Sequence, residues 1–183
     1  IHQVEAMKEM VQAFSEYARP PVLRPESVDL NALVGEVVEL YRGEPEQPEF
    51  RLELADDLPR LEADPGRLRQ LLNNLLRNAL EATDSGHCVV TVSTARGTGR
   101  HADMIELRVE DNGPGFAESM LDQLFEPYVS TKPRGSGLGL AIVKKIVEEH
   151  NGIIGARNTD NGARISVRLP RVAATEARIR ESQ

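Results

Sequence analysis

The sequence predicts an α/β chain of the α+β kind, a two-layer sandwich. A mixed, mostly antiparallel sheet is covered by helices on one face, and one separate helix precedes it. Three observations carry that class. Period-two alternation marks strands at Phe50–Leu54, Cys88–Ala95 and Met104–Asp111, and a closing pair, Gly152–Asn158 and Ala163–Leu169, flanks Asp160-Asn161-Gly162 as a hairpin. A stripe of Leu68, Leu71, Leu72, Leu75, Leu76, Ala79 and Leu80 makes one long amphipathic helix, which must lay its apolar side on something. At 183 residues with no internal repeat, the chain suits one such domain plus an appendage.

Taken in order, the first element is a helix. Val4, Met7, Val11, Phe14 and Ala18 recur at spacings of 3, 4, 3 and 4, the seam of a coiled coil or bundle. It occupies 1–19 and stops at Arg19-Pro20-Pro21, since the residue before proline is driven out of the helical region. With no second such helix in the sequence, it reads as half of a helical hairpin that needs another helix or chain. The pattern is already running at Ile1, which suggests a piece of something longer. A linker over 20–27 leads to the α/β domain at 28–170, and a charged tail occupies 171–183. Asp29 or Asn31 can cap a helix reaching about Tyr41. Asp64-Pro65 starts the leucine-striped helix, an N-cap followed by proline where its missing N–H costs nothing. After Asp111 an irregular stretch runs to Gly137, and a helix then continues to about His150, where Asn151-Gly152 ends it.

Charge and composition narrow the function. Lys plus Arg is 22 and Asp plus Glu 29, a net charge of −7 that argues against a general nucleic-acid or anionic-membrane binder. Seven aromatics (four Phe, three Tyr) and no Trp leave little for base stacking. The lone Cys88 excludes a disulfide framework and a thiolate zinc site and fits a reducing cytosol. No apolar run approaches the roughly 20 residues of a membrane span.

Three motifs carry chemistry. On the leucine-striped helix, Gln70, Asn74, Asn78 and Glu81 share a polar sector beside the apolar one. Asparagine is a middling helix former, so two of them four apart need a reason. A carboxamide oxygen can ligate Mg2+, which takes few protein ligands and fills the rest with phosphate and water. Solvated asparagine is the plainer reading of this face alone. Asp111-Asn112-Gly113-Pro114-Gly115 follows a strand, where a carboxylate can accept from an exocyclic amine and the glycines admit a flat ring; an ordinary turn is its plainer reading. Gly135-Ser136-Gly137-Leu138-Gly139-Leu140 opens a helix, whose first N–H groups and dipole favour an anion. Its spacing fits neither the P-loop nor the Rossmann fingerprint. Lys132 and Arg134 stand just upstream, able to meet phosphate charge.

In this order the three motifs resemble the sensor histidine kinases. Leu71–Ala82 is similar to their N-box, Asp111–Gly115 to the G1 box, Leu124–Tyr128 to the F-box and Gly135–Leu140 to the G2 box. The wording Asn78-Ala79-Leu80-Glu81-Ala82 and Phe125-Glu126-Pro127-Tyr128 resembles the nitrogen-regulation sensor kinases most. The resemblance implies a Bergerat-type ATP-binding domain and an enzyme that passes the ATP γ-phosphate to a histidine, and from there to a response regulator. It implies Mg2+ on Asn78, adenine on Asp111, Gly113 and Gly115, and a mobile lid over 116–136. Phe125, Lys132, Gly135, Gly137, Leu138, Gly139 and Leu140 complete its nucleotide set, with Asn74, Asn78 and Lys132 in catalytic roles. The helix over 1–19 then resembles the second helix of a dimerisation hairpin, in a homodimeric parent. The domain is expected in the cytoplasm, on a parent that can be anchored in the inner membrane.

One position separates kinase from hydrolase in that fold family. The gyrase, Hsp90 and MutL relatives carry a water-activating Glu four residues before the metal-binding Asn; here it is Asn74, which cannot act as a general base. Two departures remain. None of His2, His87, His101 and His150 has the acidic residue and Asn-Pro that follow the family's phosphoacceptor. Ala163 stands where members often carry a Thr near the adenine.

Overall fold

The computed structural model describes Val11, Phe14, Ser15, Ala18 and residues 22–42, 48–83, 87–129 and 137–171. His2, Lys132, Arg134, Gly135 and Ser136, with most of the helix over 1–19 and of the tail, lie outside the described residues. The elements run β1 (Glu26–Val28), α1 (Leu30–Tyr41), β2 (Glu49–Glu53), β3 (Leu61–Ala63), α2 (Pro65–Ala82), β4 (Val89–Arg96), β5 (Met104–Asp111), α3 (Gly139–Glu149), β6 (Ile153–Thr159) and β7 (Gly162–Pro170), with 3-10 turns at Gly99–His101 and Glu118–Gln123.

Five strands form one sheet in the order β2-β4-β5-β7-β6, parallel between β2 and β4 and antiparallel elsewhere. One face carries the helices, as expected. Val92, Leu107 and Val167 from the sheet meet Leu71, Leu72, Leu75 and Leu76 of α2 and Val143, Ile146 and Val147 of α3, all at most 2 % exposed. Each such side chain stabilises the fold by roughly 2 kcal/mol. The other face is charged instead: Glu106 takes both Arg108 and Arg168, and Glu110 takes Arg164. Burial works against the Glu106 charge, but the two guanidinium groups outweigh it and hold the carboxyl below its usual range.

The helix ends follow the sequence signals. Asp29, not Asn31, caps α1, accepting from the Ala32 N–H at 3.0 Å. Asn31 is used elsewhere, donating to the Ala55 carbonyl and accepting from the Thr94 hydroxyl. Asp64 caps α2 through the Arg67 N–H at 3.1 Å. At the end of α3, Asn151 turns left-handed at φ 55°, Asn151 N–H bonds Glu148 O and Gly152 N–H bonds Val147 O, closing a Schellman motif.

Two findings differ from the expectation. β1 pairs with β3, so Glu26 and Ser27, inside the stretch expected as linker, are strand; three-residue strands carry no periodic signal, and this pair joins segments far apart in sequence. α3 starts at Gly139, because Gly137 sits at φ +65°, outside helical space. The segment read as a mobile lid has contacts with the core: Leu124 is 6 % exposed, and Phe116 and Phe125 pack on the core. Those apolar residues are too scattered to form a pattern.

Candidate functional site

The polar side of α2 is the axis of the site, and its first turns are firmly held. The Arg67 guanidinium makes a two-pronged pair with Glu149 of α3, 2.6 and 2.7 Å, with only 7 % of the Glu149 side chain exposed. Arg67 also donates to Gln70 Oε1 at 2.9 Å. His150, buried beneath, accepts the Asp64 N–H at Nε2, 3.1 Å, which leaves its proton on Nδ1 to donate to Ile146 O at 2.8 Å. Burial opposes the Asp64 charge, but N–H groups of Arg24, Arg67 and Gly66 outweigh it and lower the carboxyl below its usual range.

Further along, the same face carries the two asparagines. Asn74 donates its amide to the Gln70 carbonyl at 3.0 Å, and its oxygen lies toward the start of α3, 3.5 Å from where a Cβ added to Gly139 would be. Asn78, one turn on, is half-buried on the same side. Glu81 pairs with Arg77 at 3.7 Å.

Asp111 closes β5 and is 7 % exposed. Its Oδ1 accepts the Gly113 N–H at 2.9 Å, and Gly113 rests against the end of α2, where a Cβ would come 3.1 Å from the Ala82 carbonyl. Register sets Asp111 opposite Ala163, and Ala163 opposite Asn158, so the three form one row across β5, β7 and β6. The position where relatives often carry a Thr is therefore beside Asp111. Two asparagines that sequence reasoning passed over hold this turn. Asn112 accepts the Val89 N–H at 2.9 Å and donates to His87 O at 2.8 Å. Asn158 brackets Phe116 in the same way. Single polar residues give no pattern, and only the fold brings their partners near.

The third motif joins from above. Tyr128 N–H donates to Gly137 O at 3.0 Å, and a Cβ on Gly137 would lie 2.6 Å from the Tyr128 carbonyl carbon, so glycine is needed there for space as well as for its positive φ. Leu138 is fully buried and Leu140 packs on the core, anchoring the start of α3. Unlike α1 and α2, whose N-caps are Asp29 and Asp64, α3 has Leu138 as its N-cap, whose apolar side chain makes no cap hydrogen bond. Phe125 has a different setting: with Pro127, Ala141 and Lys144 it lines a shallow depression on the outer side of α3.

Asn74, Asn78, Asp111, Gly113 and Gly139 thus converge on α2 from three separate stretches of sequence. Close-set glycines, asparagines on one helix face and an apolar N-cap at α3 lie on the helix-covered side of an α/β sandwich. The sequence profile of the histidine kinase-, DNA gyrase B-, and HSP90-like ATPases matches residues 63–173. The chain belongs to this family, as the catalytic domain of a sensor histidine kinase.

Sensor histidine kinase ZraS of Escherichia coli O157:H7 is 34 % identical over 171 residues, covering 92 % of this chain and 36 % of ZraS. Nitrogen regulation protein NtrY of Azorhizobium caulinodans is 35 % identical over 176 residues, 92 % of this chain and 22 % of NtrY, in keeping with the nitrogen-regulation wording. The chain therefore spans about a third or less of these relatives' length. Among solved structures, histidine kinase ThkA in complex with the response regulator protein TrrA superposes with TM-score 0.79 at 28 % identity, covering 93 % of this chain and 48 % of that one. Full-length ShkA in complex with AMPPNP gives 0.77 at 30 % identity, covering 94 % and 36 %.

Proposed function

We propose that the domain binds ATP with Mg2+ and passes the γ-phosphate to a histidine on a dimerisation domain of its parent protein, for onward transfer to a response regulator. The observation that carries this reading is the convergence on α2: the Asp111–Gly113 turn rests on its end while Gly139, at the start of α3, faces Asn74. A base hydrogen-bonded at Asp111 and phosphates at the start of α3 would span those two points. Asn78 suits Mg2+ as a neutral oxygen donor, the ion supplying charge neutralisation at the phosphates. Lys132 and Gly135 join the phosphate set by resemblance, and Phe125 the lid.

Transfer fits better than hydrolysis. An imidazole nitrogen brings its own lone pair to phosphorus as the bond to the ADP oxygen breaks, and the leaving pair stays on ADP. Water would need a base, and Asn74 is an amide whose N–H2 is already given to the Gln70 carbonyl. The AMPPNP bound by ShkA and the TrrA bound by ThkA support nucleotide and regulator as ligands of this domain's parent. Exposed Val11 and Phe14, 66 % and 53 %, support a helix that dimerises. The parent then works as a homodimer that can be anchored in the inner membrane, with this domain in the cytoplasm and no role in nucleic-acid binding.

The test is transfer of labelled γ-phosphate with a separate dimerisation domain bearing the acceptor histidine. Acid-labile label should reach that domain slowly, since a micromolar substrate forfeits the roughly millimolar effective concentration of a tether. Asn78→Asp should cut transfer by placing charge beside the phosphates. Label released only as free phosphate would mark a hydrolase, and robust histidine labelling of this chain alone would overturn an external acceptor.

A further inference from the structure

The Asn158 side chain is committed to one backbone position. Its Oδ1 accepts the Phe116 N–H at 2.7 Å, and its Nδ2 donates to the Phe116 carbonyl at 2.8 Å. Both groups of a residue that would otherwise begin a free loop are thereby satisfied by one side chain, as a neighbouring strand would satisfy them. Gly115 is drawn in so closely that a Cβ there would lie 2.7 Å from Asn158 Oδ1 and 3.3 Å from Gly162 O, and its φ of +77° excludes most other residues. Asn158 stands in one row with Asp111, separated only by the short Ala163. The bracket therefore holds Gly115 and Phe116 over the end of that row, as a wall beside Asp111.

We infer that Asn158 is a positioning residue of the nucleotide site, pinning the root of the lid so that Gly115 and Phe116 form a fixed wall for the base. This rests on the proposal that the base binds at Asp111. The consequence is a division of labour along the lid. Phe116 stays with the sheet, and any movement on nucleotide binding begins beyond it. A shorter or charged side chain at 158 cannot reproduce the pair of bonds. Asp keeps the acceptor for the Phe116 N–H but loses the donor to its carbonyl, and Leu loses both.

The test compares the wild-type chain with Asn158→Asp and Asn158→Leu, measuring AMPPNP–Mg2+ affinity by calorimetry, amide exchange at Phe116, and exchange at Val109 as a report on the fold. Asn158 is exposed, so Val109 exchange should not change in either variant. Affinity should fall about tenfold in Asn158→Leu and less in Asn158→Asp. Phe116 protection should be lost in Asn158→Leu and partly kept in Asn158→Asp. A merely structural role would move Val109 and the melting temperature with affinity, and that result overturns the inference. Wild-type affinity in Asn158→Leu overturns the positioning role while leaving nucleotide binding intact. Failure of the wild-type chain itself to bind AMPPNP overturns both.

Discussion

The two ends of the α2–α3 pair are built in opposite ways. Where the start of α2 meets the end of α3, charge and hydrogen bonding close the contact: Arg67 on Glu149, His150 on Asp64, and a Schellman motif behind them. Toward the start of α3 and the end of α2, glycines make the contacts among the described residues: Gly139 opposite Asn74, and Gly113 against Ala82. The same two helices are clamped by an ion pair at one end and, among the described residues, meet through glycine at the other, the clear end. A clamp fixes the helix axes, and with them the positions of Asn74 and Gly139. Preorganisation of this kind lowers what binding must spend on ordering the site.

Breaking the clamp should have the largest effect. Arg67→Ala leaves the nearly buried Glu149 with only Lys145, at 4.0 Å, and should cost about 3 kcal/mol in urea unfolding. Replacing both partners together, Arg67→Met with Glu149→Leu, should recover much of that loss, because no buried charge is stranded. Changing the clear end should act on binding instead. Asp111→Ala should weaken AMPPNP by about 1–3 kcal/mol, roughly five- to 150-fold, in calorimetry, while exchange around Arg67 stays as in the wild type. Equal affinity would remove Asp111 from the site.

The smallest expected effect sharpens the clamp. Asp64 is held below its usual range when folded, so its contribution to stability is present above about pH 4 and is lost as pH falls through the lowered folded value. Asp64→Asn keeps an oxygen for the Arg67 N–H but gives up the charge. Its stability deficit should be under about 1 kcal/mol at pH 7, solvent screening being considerable, and should shrink toward zero near pH 2. A deficit that does not change with pH would assign the effect to geometry rather than charge.

Much of this was legible beforehand, for identifiable reasons. The leucine stripe of α2, the cap at Asp64-Pro65 and the alternation of β5 are local signals, and the structure reproduces them with small shifts at the ends. Motif order pointed to Asn74, Asn78, Asp111 and Gly139 as one site because glycine and asparagine sit where a helix or strand has little use for them. The clamp was not legible. Glu149 and His150 look like an ordinary helix end until α3 is laid antiparallel to α2, and Arg67 looks solvated until Glu149 arrives. Asn112 and Asn158 escaped for the same reason: a carboxamide that satisfies a distant backbone leaves no mark on its own neighbourhood. The β1–β3 pair joins residues more than thirty positions apart with three residues a side, too little for any period to emerge.

Amide exchange with and without AMPPNP and Mg2+ tests the central contrast most directly. Bound nucleotide should slow exchange at 111–115, at 137–142 and around Asn78, the clear end. It should leave 64–68 and 149–152 unchanged, since the clamp is already closed. Saturating nucleotide that protects the clamp, or leaves the clear end exchanging as before, would contradict the account.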